Sequence, residues 1–212
     1  DRHASPMKTV FFDIDTQLDF VTPAGALYAP GAERVIAAVA RLNRHAASSG
    51  IVLVSTTDAH AENDAEFSQW PPHCVSGTLG QRKAQATLLE NSVVVPNRDG
   101  LPETAGVAQI IVEKRTVDVF ETRTIAPLLE RLAADRFVVY GVVTEVCVWH
   151  AARGLLRLGK PVTIVTDAVE ALRPDAGERA LAELHKAGAA LATVGQETGV
   201  RSQNSRRRTS DF

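Results

Sequence analysis

The chain has 212 residues, 45% hydrophobic and 23% charged, with a net charge of −2. One α/β domain is the simplest organisation at this length, and it can bury a sizeable core without disulfides or structural metals. A near-neutral balance, with pI about 6.3, gives no support for a nucleic-acid or membrane-surface partner.

Two cysteines, Cys74 and Cys147, do not make a disulfide framework. No apolar run reaches the roughly eighteen residues of a membrane span, and nothing has the form of a signal peptide. The expectation is a cytoplasmic protein with free thiols.

In chain order, residues 1–6 read as a polar leader. "TVFFDI" (Thr9–Ile14) reads as a buried strand that ends in the polar and aromatic cluster "DTQLDF". A Pro/Gly loop follows, and then the spacing of Val35, Ile36, Val39 and Leu42 predicts a helix over 32–49, stopped by Gly50. "IVLVSTTDAH" is the second strand. The long segment "AENDAEFSQWPPHCVSGTLGQ" has little periodicity and is rich in reactive side chains, a mark of functional loops.

"SVVVP" and "QIIVEK" are short strands, the second ending in Lys114. "TIAPLLERLAA" is a helix, "RFVVYGVV" a strand, "TEVCVWHAARGLLRLG" a helix stopped by Gly159, and "PVTIVTDAV" a strand. "PDAGERALAELHKAG" carries Pro174 at its start and Gly188 at its end, the expected helix asymmetry, and "ALATVG" is the last strand. Residues 196–212 read as a polar extension. Its arginines 206–208 could touch a neighbouring subunit or simply be solvated.

Alternating strands and helices with short connections predict a mainly parallel sheet wrapped on both faces, a three-layer α/β/α domain over 7–195. Ligands in such sheets bind outside the carboxyl ends of the strands. Asp15, Asp58, His60, Lys114 and the turn from Thr144 to Cys147 should therefore meet at one rim.

Cys147 falls in an early helical turn, where backbone N–H groups and the helix dipole favour a thiolate. Position alone also fits a small apolar filler. Asp15 could accept and return a proton, and Lys114 could stabilise the thiolate; alone, each also fits a cap or an ion pair. Asp13 rivals Asp15, but it lies inside the hydrophobic strand run and is expected to point to the opposite face. Asp58-x-His60 with His73 offers one carboxylate and two imidazoles, a set suited to zinc, iron or manganese. It fits capped and hydrogen-bonded side chains as well.

Together, "DIDTQLDF", "TTDAHAEN", "QWPPHCVSGT", "VEKRT" and "GVVTEVCV" resemble, in this order, the nicotinamidase/isochorismatase-like family of cysteine hydrolases. The resemblance covers residues 7–195 and is closest to nicotinamidases. It implies Asp15, Lys114 and Cys147 as the catalytic residues, and so decides between Asp15 and Asp13. It further implies a cis peptide between Val142 and Val143, with the Val143 and Cys147 N–H groups forming an oxyanion hole.

A divalent metal on Asp58, His60 and His73 is implied too. Many nicotinamidases carry another histidine just after Asp-x-His; here Asp64 or Glu66 stands near that place. Phe20 and Trp70 would flank the substrate ring. The implied activity is hydrolysis of nicotinamide or a similar amide to the acid and ammonia, in pyridine nucleotide salvage. The segment after Lys114, "RTVDVFETRT", departs from the aromatic and glycine-rich stretch common in nicotinamidases, so the amide could differ. Other amides or carbamoyl compounds, isochorismate, and a non-catalytic metal or ligand binder are the remaining readings. A homo-oligomer could form through an exposed helix face.

Overall fold

The computed structural model describes residues 7–199. The expected leader and most of the expected extension, with its arginines, lie outside the described residues. Seven strands form one parallel sheet: β1 (Thr9–Ile14), β2 (Val52–Asp58), β3 (Ser92–Val95), β4 (Gln109–Lys114), β5 (Arg136–Val142), β6 (Val162–Glu170) and β7 (Ala190–Ala192). Their order is β3-β4-β2-β1-β5-β6-β7, and every pairing is parallel. The expectation of a mainly parallel sheet thus becomes a wholly parallel one.

Alternation along β1 divides the core. Val10, Phe12 and Ile14 pack on one face with α3 (Ile125–Leu132), α4 (Trp149–Arg157) and α5 (Pro174–Lys186). Phe11 packs on the other with Val39 and Leu42 of α2 (Ile36–Ser48) and with Val194 of α6 (Val194–Thr198). α1 is the single turn Leu18–Val21. Phe11 and Phe12 are both buried, each contributing about 1.5–3 kcal/mol by removal from water. This two-sided burial explains why β1 reads as a continuous apolar run.

Helices α2, α4 and α5 end two residues before Gly50, Gly159 and Gly188, as expected. Three expectations shift. The helix predicted from residue 32 opens as a separate 3₁₀ turn, Ala32–Val35. The helix predicted from Thr144 opens as a π-type turn, Thr144–Val148, before α4. The last strand stops at Ala192, because Thr193 and Gln196 form a reciprocal cap that starts α6. Val194 and Thr198 of α6 are buried, so the domain passes residue 195 and takes in the first residues of the expected extension.

The chain runs outward from β1 on one side, then α3 carries it back across to β5 on the other. Strand order reverses at β1, the place where open parallel sheets form a ligand crevice.

Candidate active site

Asp15 follows directly on β1, and its backbone is left-handed, with φ +47°. Simple alternation would put Asp13 and Asp15 on the same side of the strand. The left-handed residue breaks that alternation. Asp13 lies against Asn43 of α2, whereas Asp15 turns to the other face, toward Thr56 and Lys114. The expected separation of the two aspartates is present, and the backbone reversal at Asp15 is its cause.

Gly141 of β5 permits this crossing. Its φ is +113°, and a Cβ there would lie 2.2 Å from the Ile14 carbonyl oxygen. No residue with a side chain fits so close to β1.

Lys114 is 1% exposed and ends β4. Its Nζ lies 2.9 Å from Asp15 Oδ2, contacts Asp58 Oδ1, and lies 3.7 Å from Cys147 Sγ. Lys114 and Asp58 are register partners on adjacent strands, so sheet pairing itself brings them together. Thr56, two residues earlier on β2, donates to Asp15 Oδ1 at 2.6 Å. Asp15 Oδ2 is held by the Lys114 ammonium, and a carboxylate oxygen has lone pairs left to accept from a further proton donor.

The charges follow from burial and neighbours. Burial raises the proton affinity of Asp15; Lys114 opposes this and Asp58 adds to it. Burial also works against the Lys114 cation, but Asp15, Asp58 and Cys147 outweigh it and hold the lysine protonated. Burial pushes the Cys147 thiol up, and the carboxylates of Asp15 and Asp58 push it further, against the pull of Lys114. The expected pull of the helical turn toward a thiolate is thus opposed by burial and by the two carboxylates. The protein's own charges favour the Cys147 thiol, beside an Asp15 carboxyl whose proton affinity burial raises.

Asp58 joins this cluster to a second one. Its Oδ2 lies 3.6 Å from His60 Nε2 and 3.4 Å from His73 Nε2. One donor atom from each of the three residues falls within 4.8 Å of the others, and all three residues are buried. Glu66 Oε2 lies 3.5 Å from His60 Nε2. Donors at about 2.0–2.1 Å around a tetrahedral ion stand roughly 3.3 Å apart, close to these separations.

Neither His60 Nε2 nor Glu66 Oε2 has a hydrogen-bond partner, an expensive state for buried polar atoms. His73 Nδ1 lies 2.7 Å from the Pro71 carbonyl oxygen; if it donates there, Nε2 is left as a lone pair. The residues fit a divalent cation. Asp64, the other acid expected near this place, lies 3.3 Å from His60 Nδ1 and 3.1 Å from Arg115 Nε. It sits behind the imidazole, while Glu66 lines the pocket with Asp58 and His73. Burial works against a protonated His60, but Asp58, Asp64 and Glu66 together raise its proton affinity.

The pocket above these groups holds about 380 Å³ with its mouth. Phe20 and Trp70 line it, as do Val143 and Cys147. Leu27, Val117, Val146 and Leu172 complete apolar walls. The Val142–Val143 peptide is cis.

The structure also gives roles to motif residues that the sequence left without one. The Gln17 side chain accepts from the Asp58 N–H at 2.7 Å and donates to the Asp58 carbonyl at 2.8 Å, tying β1 to the end of β2. Asp19 accepts from the N–H groups of Cys74 and Ala26 at 2.7 and 2.9 Å, which anchors the segment bearing His73. A Cβ at Gly80 would lie 2.1 Å from the Asp19 carboxylate.

Fold and site together define a hydrolase: a buried acid, lysine and thiol at the strand ends of a doubly wound parallel sheet. The chain belongs to the Isochorismatase domain family, whose profile matches residues 9–196. It is similar to the pyrazinamidase of Pyrococcus horikoshii, solved in complex with zinc: 29% identity, TM-score 0.74, 88% of this chain and 99% of that one. The nicotinamidase/pyrazinamidase of Mycobacterium tuberculosis is 26% identical over 195 residues, 84% of this chain and 95% of that protein. PnC1 of L. infantum, solved in complex with nicotinate, is 25% identical with a TM-score of 0.70, over 88% of this chain and 93% of that one.

Proposed function

We propose that the protein is a nicotinamidase-type amidohydrolase. It converts nicotinamide or a similar heteroaromatic amide to the acid and ammonia through a thioester on Cys147. The observation that carries this reading is the meeting of Asp15, Lys114 and Cys147 beneath an apolar pocket, beside buried metal-competent donors. The likeness to a nicotinamidase/pyrazinamidase and to a nicotinate-bound protein supports it.

Asp15 takes the proton from the Cys147 thiol as sulfur adds to the carboxamide carbon. The N–H groups of Val143 and Cys147 hold the oxyanion, roughly 3 kcal/mol of transition-state stabilisation per donor. Lys114 keeps its proton and steadies both the Asp15 anion and the forming thiolate. Asp15 then gives its proton to the departing nitrogen, and ammonia leaves the acyl group on sulfur. Water adds to the thioester with its proton going to Asp15, which returns a proton to sulfur as the acid departs.

Asp58, His60 and His73 would hold a divalent ion (zinc, iron or manganese), with Glu66 as a further ligand and Asp64 orienting His60. The zinc in the Pyrococcus pyrazinamidase supports this assignment. When bound, the ion supplies a Lewis-acidic anchor for a donor nitrogen on the substrate ring. Phe20 and Trp70 flank that ring.

No lysine or arginine is among the described residues lining the pocket, so a carboxylate-bearing substrate such as isochorismate or a carbamoyl amino acid finds no cationic side chain there. A non-catalytic binder would need no buried Asp–Lys–Cys cluster, which is costly to desolvate. Release of nicotinate would place the enzyme in pyridine nucleotide salvage, expected in the cytoplasm. Among the described residues no helix is long and apolar enough to cross a membrane. A panel of nicotinamide, other amides, a carbamoyl acid and isochorismate, read by ammonia or acid release, tests the substrate. Nicotinamide should lead, and turnover of isochorismate alone would overturn the proposal.

A further inference from the structure

A second buried charge cluster lies behind the site, on the α2 face of the sheet. Asp13 is fully buried and Lys83 is 6% exposed. Lys83 Nζ lies 2.9 Å from Asp13 Oδ2 and donates to Thr16 Oγ1 at 2.6 Å. Thr16 Oγ1 in turn donates to Asp13 Oδ1 at 2.9 Å. Asn43 donates to the same carboxylate at 2.9 Å, and its own oxygen accepts from the Tyr140 hydroxyl at 2.7 Å. None of these five residues lines the pocket, and the mechanism uses none of them.

The cluster brackets Asp15 in sequence, with Asp13 before it and Thr16 after. The Lys83 backbone grips the same turn: Lys83 bridges Gln17, the Ala84 N–H donates to the Thr16 carbonyl at 2.8 Å, and the Leu18 N–H donates to the Arg82 carbonyl at 2.8 Å. Asp15 needs such a frame. A left-handed non-glycine residue persists only where its surroundings over-determine it. A buried ion pair is a weak way to gain stability, since apolar side chains of similar volume often serve as well or better. Its use here fits a requirement for geometry.

We propose that Lys83 and Asp13 are positioning residues for Asp15. Their ion pair, with Thr16 between them, locks the turn after β1 so that the Asp15 carboxylate stays aimed at Lys114 and the thiol. The proposal rests on the reading of Asp15 as the base for Cys147.

The test compares wild type with K83M, K83R and the charge-neutral double variant D13N/K83M. Each is read by melting temperature, metal content, kcat and KM on nicotinamide, and the rate of Cys147 alkylation by iodoacetamide at one fixed pH. Peptide mapping separates Cys147 from Cys74. K83M should lower kcat at least tenfold with KM and metal content within twofold, and alkylation should slow by a similar factor. K83R should recover most of both rates. If K83M fails to fold, the double variant leaves no unpaired buried charge and should show the same loss. A folded K83M or D13N/K83M with kcat and alkylation within twofold of wild type overturns the proposal. If wild type leaves nicotinamide intact, the substrate reading fails, and the alkylation rates still decide the positioning claim.

Discussion

Thr56→Val changes little volume and removes the hydroxyl's bond to the Asp15 carboxylate, together with a longer one accepted from the Asp15 N–H at 3.3 Å, which keeps the Thr56 carbonyl at 3.2 Å. Thr56 is fully buried, and its Oγ1 donates to Asp15 Oδ1 at 2.6 Å. This bond favours the carboxylate and opposes the burial that raises its proton affinity. A hydrogen bond to a charged group contributes about 1.5–3 kcal/mol, and each pH unit corresponds to about 1.36 kcal/mol. Its loss should therefore raise the pKa of Asp15 by roughly one to two pH units. The sign is fixed by the chemistry: Asp15 must be ionised to take the thiol proton, so activity is lost as pH falls through its value. The acid limb of kcat/KM in the variant should move to higher pH by that amount. Activity on the plateau should be retained in large part, and Thr56→Ser should restore the limb. A pH–rate profile by continuous ammonia detection measures this. An acid limb unmoved in Thr56→Val would refute the assignment of Asp15 as the base.

Cys147→Ala should abolish turnover while nicotinate still binds by calorimetry; retained ammonia release would remove the thiol from the mechanism. Glu66→Gln should weaken metal affinity by about tenfold or more, and Asp64→Asn, which loosens the imidazole of His60, by about tenfold; competition with a chromogenic chelator reads both. Raised proton affinity at His60 means that protons compete with the ion from above the ordinary histidine value of about 6.5. Metal affinity should thus fall as pH drops through neutrality, and a flat affinity between pH 6 and 8 by the same chelator assay would contradict that direction. Gly80→Ala drives a Cβ to 2.1 Å from the Asp19 carboxylate, an overpacking that should cost about 1–3 kcal/mol, visible as a lower melting temperature; an unchanged melting temperature would mean that the loop yields freely.

Much of this was legible in the sequence because it repeats with the period of a strand or a helix. The apolar runs of β1, β2, β4 and β5 mark their own ends; Asp15, Asp58 and Lys114 stand at or just beyond the first three, and Cys147 in the turn after β5. Asp58, His60 and His73 stand out as metal-competent residue types, but their joint role and the two aromatic walls, Phe20 and Trp70, come only from the resemblance to nicotinamidases. What escaped was long-range or conformational. Thr56 bonds Asp15 across two strands, and a threonine in a β-rich segment looks like any other. Leu27, Val117, Val146 and Leu172 reach one pocket from four separate segments. The proton affinity of Cys147 depends on burial and on two carboxylates distant in sequence, so local helix position alone points the wrong way. Asp64 and Glu66 are separated by only one residue, and only the three-dimensional turn puts one behind His60 and the other in the pocket.

The central claim is an acyl group carried on the sulfur of Cys147. Metal-replete enzyme mixed with excess nicotinamide and quenched in acid within the first turnovers, then mapped by peptide mass spectrometry, reads it directly. The account predicts a nicotinoyl thioester on the Cys147 peptide that disappears as substrate is consumed. Steady ammonia release with that peptide unmodified at every quench time, or with the acyl group on another residue, would contradict it.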